Sequence, residues 1–387
     1  MPKQYQWLST VKFQDPRTLT YLGSPSILRL PDGALLATHD YFGRGCPLNH
    51  VGEEHLTSVY RSEDDGHSWW NVTHISGAFW SGLFLHRGAV YLLGTSAQYG
   101  DIVIRRSDDG GFTWTHPKDD SSGLLFRGGH YHDPPNYHCA PVPVLFSSGR
   151  IYRAFEDCDP LIWGKGFRAF VISADEDADL LDARTWRMTN KLPYDPEAYP
   201  PDFGAIGRDA YGWLEGNMVE APDGTLWDIL RFNSVPVLNK AAMVRVVDEG
   251  TRVEFDPETG FIDLPGGLSK FTIRRDPVGG RYWMLSNDMQ DFPVPIRRNR
   301  LSLFSSADLR AWEKHATLMV DDHEKTPEDS VRNTGFQYVD WQFDGDDIIY
   351  LVRTAYDGAH NFHDSNRIVC AKVEGFRKLV GEREVSG

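Results

Sequence analysis

Glu215 opens an apolar segment that turns back at Pro222-Asp223-Gly224 and returns to Arg231, so one hairpin brings a carboxylate and a guanidinium to the same end. A guanidinium at such a place suits a substrate carboxylate, which it binds through two parallel hydrogen bonds. The plainer alternative is an ion pair that only braces the hairpin. A second group surrounds His138, with Arg153 and Glu156 on the following segment. There the imidazole could take a proton α to a carboxylate, Arg153 or Arg231 could neutralise the enolate, and Tyr338 or Tyr356 could return a proton. His39-Asp40 offers a third group, with Asp40 as a general acid for hydrolysis and Glu53 or Glu54 as rivals. Arg298 and Arg353 are further candidates for holding an anionic substrate.

These residues need a frame that gathers them, and the turns supply one. The Pro-Asp-Gly hairpin has five counterparts, at Pro31-Asp32-Gly33, Arg87-Gly88, Ser148-Gly149, Gly279-Gly280 and Asp344-Gly345. Short apolar strands repeating at this spacing predict an all-β fold, a six-bladed β-propeller of four-stranded antiparallel blades. The blades run over about 24–73, 78–115, 138–188, 215–255, 271–315 and 336–379, and the whole chain, 1–387, reads as one propeller domain. Tyr5 to Phe13 has no hairpin partner and is expected to close the ring against the last blade. The inserts 130–137, 193–213, 288–299 and 321–334 are expected to be ordered surface loops.

Two segments fit the pattern S-x-D-x-G-x-[ST]-W, Ser62 to Trp69 and Ser107 to Trp114. Worn copies stand at Ser306 to Trp312 and at Ser173-Ala174-Asp175 with Trp186. The Asp caps backbone amides, the Gly takes a conformation closed to a β-carbon, and the Trp packs between blades. If the glycine hairpins join strands one and two and these turns join strands three and four, both lie on one rim. The opposite rim then collects His39-Asp40, His138, Arg153, Glu156, Glu215, Arg231, Tyr338 and Arg353.

The paired turns are the Asp boxes of sialidase-like propellers, and the whole chain resembles that superfamily. The resemblance implies a glycoside hydrolase in which a first-strand glutamate, here Glu215, polarises a tyrosine nucleophile while arginines clamp the substrate carboxylate. Glu215, Glu220, Asp223-Gly224 and Arg231 match the blade-four pattern. The Arg-Ile-Pro that opens blade one in that group is replaced by Leu22-Gly23-Ser24-Pro25, so a clamp here must draw on Arg298, Arg300 or Arg353. Gly129 to Pro141 with Gly149 to Asp157 is also similar to propeller lyases of rhamnose–glucuronate linkages, a group in which seven blades are expected. The partner these readings share is an oligosaccharide or glycan with an acidic sugar. A non-catalytic glycan-binding propeller is the rival class.

Composition sets outer limits. With 55 acidic and 40 basic residues the formal charge is −15, which disfavours nucleic acid or an anionic membrane as a partner. The four cysteines have no CxxC spacing, and His130, His132 and His138 lack a ligand spacing, so no metal or cofactor is expected. Residues 1–20 hold no apolar leader, which predicts a cytoplasmic protein as written, or a secreted or periplasmic one if a leader has been removed.

Overall fold

A computed structural model describes residues 7–130, 132–198, 211–234, 239–289 and 297–380. Six antiparallel sheets, each following a four-strand path, stand around a common axis. In three of them the inner or outer strand is broken, as in blade one, where Tyr21–Leu22 and Ser26–Arg29 flank Gly23-Ser24-Pro25. This is the six-bladed β-propeller that the spacing of the turns predicts. All six hairpin glycines, Gly33, Gly88, Gly149, Gly224, Gly280 and Gly345, have φ between 66° and 90°, the region that a β-carbon resists.

A blade is covered on both faces, so its middle strands are apolar throughout rather than alternating. In blade six Ile348, Tyr350 and Val352 pack toward Trp283 and Leu303 of blade five. The intervening Ile349 and Leu351 pack toward Leu35 and Ala37 of blade one. The period-two direction of a strand thus divides one continuous apolar run between two neighbours.

The ring closes as the orphan N-terminal segment suggests. Ser9–Phe13 pairs antiparallel with Arg367–Val373 and forms the outermost strand of the last sheet; Tyr5 and Gln6 lie outside the described residues. Arg29 of blade one adds a two-pronged contact to Asp344 of blade six, Nε to Oδ1 at 3.0 Å and Nη2 to Oδ2 at 2.5 Å.

The aspartate turns also behave as the sequence implies. Asp64 accepts from the Ser68 amide at 2.8 Å and its hydroxyl at 2.6 Å, and Asp109 does the same for Thr113 at 2.9 and 2.6 Å. Trp69 and Trp114 donate to Gly66 and Gly111 and pack between blades. The worn copy in blade five keeps this geometry with Leu309 in the glycine position, at φ 66°, and Trp312 donating to its carbonyl at 3.2 Å. The insert at 321–334 is not wholly loop. Thr326 caps a short helix, Pro327–Asn333, by accepting from the Asp329 amide at 3.1 Å. Its seven residues carry too little periodicity to stand out, although Thr-Pro-Glu-Asp is a sound start signal.

Candidate active site

Away from the turns, the innermost strands of three alternate blades share one irregularity. Pairing slips between Phe79 and Gly82 in blade two, between Leu214 and Asn217 in blade four, and between Gln337 and Asp340 in blade six. At each slip a non-glycine residue takes positive φ, Trp80 at 46°, Glu215 at 57° and Tyr338 at 51°. A bulge of this kind re-aims a side chain at the cost of backbone strain, on the order of 1–3 kcal/mol per residue. Here all three side chains turn into one cavity of about 170 Å³ at the rim. Buried carboxylates from the preceding blades hold two of the bulges. Asp40 accepts the Trp80 amide at 2.8 Å, and Glu156 accepts the Glu215 amide.

Within the cavity, Tyr338 Oη donates to Glu215 Oε1 at 2.6 Å, and Arg231 Nη1 donates to Glu215 Oε2 at 2.9 Å. Arg231 is fixed in turn by Nε bonding to the Leu268 carbonyl at 2.8 Å. Two further guanidinium groups flank the phenol. Arg353 lies 4.9 Å from the Tyr338 ring centre and Arg298 lies 5.8 Å away. Arg353 also covers Phe42 at 4.5 Å and is anchored by Ser365 Oγ at 3.1 Å and the His363 carbonyl at 2.6 Å. Ser365 bonds onward to the Leu22 carbonyl, which links the anchor of Arg353 to blade one. Arg298 donates to Gln337 Oε1.

Burial and charge divide the acids. Burial pushes Glu215 up, but Arg231 first, then His138 and Tyr338, outweigh it and hold the carboxyl below its ordinary value. Asp40 has no such cation in contact; burial drives it up to about 7, although Thr57 and the Trp80 amide both donate to it. Burial, then the neighbouring Glu215 charge, raise Glu156 well above the carboxylate range. Tyr338 is raised by burial and by Glu215. Burial lowers His138 to about 4, so its imidazole is neutral at pH 7. Three guanidinium groups, Arg231, Arg298 and Arg353, thus gather around Glu215 and Tyr338, a local concentration of positive charge in a chain whose net charge is negative.

Of the residues singled out in sequence, Glu215, His138, Asp40, Tyr338 and Arg353 line this cavity. Arg231 and Arg298 stand directly behind Glu215 and Tyr338. Glu156 has no exposed surface and serves the Glu215 amide rather than the opening. His39 is not at the site. Its ring is enclosed by Tyr41 and Tyr60 at 4.8 and 5.4 Å, because neighbours along a strand face opposite ways and Asp40 takes the cavity side. Arg153 is also interior, donating to the Ala140 and Ala154 carbonyls at 2.7 and 2.9 Å. The rival acid Glu54 does line the cavity, as does His363.

Sequence reasoning passes over Trp80, Tyr99 and Trp163. Trp80 packs on His138 with ring centres 4.2 Å apart, and Trp163 lies 5.4 Å from the Arg231 guanidinium. Trp80 had a usable signal, since it sits at the opening of a first strand as Glu215 and Tyr338 do. Among the described residues no group of three or more His, Cys, Asp or Glu is arranged to hold a metal, and no helix is long and apolar enough to cross a membrane.

The chain is thus a six-bladed propeller, a fold it shares with solved sialidases and α-L-arabinanases. Among solved structures it is similar to the Penicillium chrysogenum α-L-arabinanase complexed with arabinobiose, at 14% identity over 95% of this chain and 98% of that one, with a TM-score of 0.58. The α-L-arabinofuranosidase of Fusarium graminearum gives 13% identity, 95% and 98% coverage and a TM-score of 0.60. The Trypanosoma rangeli sialidase in complex with sialic acid gives 15%, 97% of this chain, 59% of that one, and 0.57. At these identities the likeness is one of fold. No protein-family model matches the chain, and no curated protein matches it.

Proposed function

We propose that this protein is a glycoside hydrolase that removes a terminal acidic sugar through a tyrosine nucleophile. The observation that carries the reading is the contact of Tyr338 Oη with Glu215 Oε1 at 2.6 Å, with Arg231 on the other carboxylate oxygen. Glu215 takes the phenol proton as Tyr338 Oη bonds to the anomeric carbon. The bond to the leaving oxygen breaks, and Asp40, whose pKa is raised to about 7, gives that oxygen its proton from its protonated form. Water then attacks the same carbon, losing a proton to Asp40, while the released phenolate recovers its own from Glu215. Two displacements retain the anomeric configuration. Arg231, Arg298 and Arg353 form the carboxylate clamp, with Arg353 in the place of the missing blade-one arginine. A cavity of about 170 Å³ suits one sugar unit, which favours action at chain ends.

The test is hydrolysis of 4-methylumbelliferyl glycosides of sialic acid, glucuronic acid and arabinofuranose by wild type, Tyr338→Phe and Glu215→Gln. Turnover of an acidic glycoside that both variants lose supports the reading; undiminished turnover in Tyr338→Phe removes the nucleophile. Elimination with His138 as base draws on the neutral imidazole in the cavity wall. It would announce itself as an ultraviolet-absorbing unsaturated sugar. Binding to glycans with no turnover would leave the propeller as a lectin-like module.

A further inference from the structure

Beside the cavity runs a second depression of about 610 Å³, within the ~300–1,000 Å³ usual for ligand sites. Its walls are the loops that follow the second strands of blades one and two, together with the segments entering blades two and three. They present Asn49, His50, His55, Asp101, His116 and His130. The partition between groove and cavity is thin. Glu53 faces the groove and Glu54 the cavity, and Ala97 and Gly100 face the groove while Gln98 and Tyr99 face the cavity. The Gln98 amide donates to the Glu54 carbonyl at 2.9 Å and ties the two sides of the partition together.

Orientation within the cavity points the same way. Tyr338, Glu215 and the three arginines belong to blades four, five and six. Asp40 stands at the junction of blades one and two, bonded to Thr57 of blade one and Trp80 of blade two. In any displacement at an anomeric carbon the nucleophile and the protonated leaving oxygen lie on opposite sides, so the leaving group departs toward blades one and two. The groove lies there. Its chemistry also differs from that of the cavity. No Lys or Arg is among its lining residues, Glu53 and Asp101 are acidic, and four imidazoles supply hydrogen-bonding edges. Such walls repel an anionic group and suit the hydroxyls of neutral sugars.

We infer that this groove seats the leaving-group side of the substrate, a neutral oligosaccharide chain whose acidic terminal sugar occupies the arginine-lined cavity. The inference rests on the hydrolase reading for its polarity. It makes the natural substrate an oligosaccharide of several units rather than a simple monosaccharide glycoside.

The experiment compares kcat/KM for a methylumbelliferyl glycoside with that for oligosaccharides bearing the same terminal sugar on one, two and three neutral units. The enzymes are wild type and the exposed-rim double variant His50→Ala/His130→Ala. Wild type should gain roughly tenfold with chain length, and the double variant should lose most of that gain through KM. Chain-length-independent kinetics in wild type would overturn the groove while leaving the hydrolase reading intact. If no glycoside turns over, saturation-transfer NMR with neutral tetrasaccharides decides. Signals from wild type that fade in the double variant uphold the groove, and no signal from wild type refutes it.

Discussion

Asp40→Asn separates the cost of burying an acid from the use made of it. Asp40 is 1% exposed and its pKa rises from 3.8 to about 7, chiefly through burial. In the unfolded chain it ionises near its ordinary value. Between the two values the folded protein holds a proton that the unfolded chain has lost, so stability falls as pH rises and stops falling once the folded group ionises. A gap of roughly three pKa units corresponds to on the order of 4 kcal/mol above pH 7, at 1.36 kcal/mol per unit. About two of those units lie between pH 5 and 7. The amide cannot ionise, and it fits the site. Its oxygen can accept the Trp80 amide, its nitrogen can face Thr57 Oγ1, and that hydroxyl still has the Ala78 carbonyl at 2.7 Å. The stability of Asp40→Asn relative to wild type should therefore rise by roughly 3 kcal/mol from pH 5 to pH 8, whatever fixed offset the altered hydrogen bonds impose. Urea unfolding followed by tryptophan fluorescence at the two pH values measures it. Parallel stability curves would refute the reasoning, because they would mean that Asp40 is ionised throughout. If Asp40 is also the general acid, the variant's kcat should drop about 10²–10⁴-fold on poor leaving groups and much less on aryl glycosides.

In wild type, kcat/KM should decline as pH rises through about 7, where Asp40 ionises, and a pH–rate series should show this limb absent from Asp40→Asn. Arg353→Ala should raise KM for the acidic substrate about thirtyfold or more, since removing one partner of a buried charged contact costs about 2–5 kcal/mol; steady-state kinetics read it, and an unchanged KM would take Arg353 out of the clamp. In Gly216→Ala the new β-carbon would sit 2.1 Å from Asp228 Oδ1, so the buried Asp228 carboxyl or the blade-four bulge must shift; a loss of about 1–3 kcal/mol in urea unfolding is expected, with a fall in kcat where the bulge carries Glu215 with it. Removing residues 1–13 exposes the edge of Arg367–Val373, and both a lower melting temperature and concentration-dependent aggregation by light scattering should follow.

The ring was legible because its information is local. A glycine at each hairpin and an aspartate before each outer turn mark where strands end, and their recurrence counts the blades. Rim membership followed from the same turns, which is why Asp40, His138, Glu215, Arg231 and Arg353 could be named together. What the turns do not encode is which way a rim residue points. His39 and Asp40 are adjacent and equally polar, and only strand alternation anchored by the Tyr41 and Tyr60 packing sends one inward and the other to the cavity. Arg153 and Glu156 look like site residues by type, yet both are buried and the hydrogen bonds they make run to backbone groups.

The alternate-blade bulges explain why the cavity is built from these side chains. A regular first strand would send consecutive residues into the two neighbouring blades, leaving nothing aimed at the axis mouth. Inserting one residue at Trp80, Glu215 and Tyr338 turns an aromatic ring, a carboxylate and a phenol inward from three directions. Each freed amide then needs an acceptor, and Asp40 and Glu156 supply two of them. Burial alone pushes every carboxyl near the axis upward, Asp40 to about 7 and Glu156 well above its ordinary value. Glu215 escapes because Arg231 returns from the same hairpin to its second oxygen. The contrast that the proposed chemistry needs, one ionised base against one protonated acid, therefore comes from where a single arginine falls along one strand.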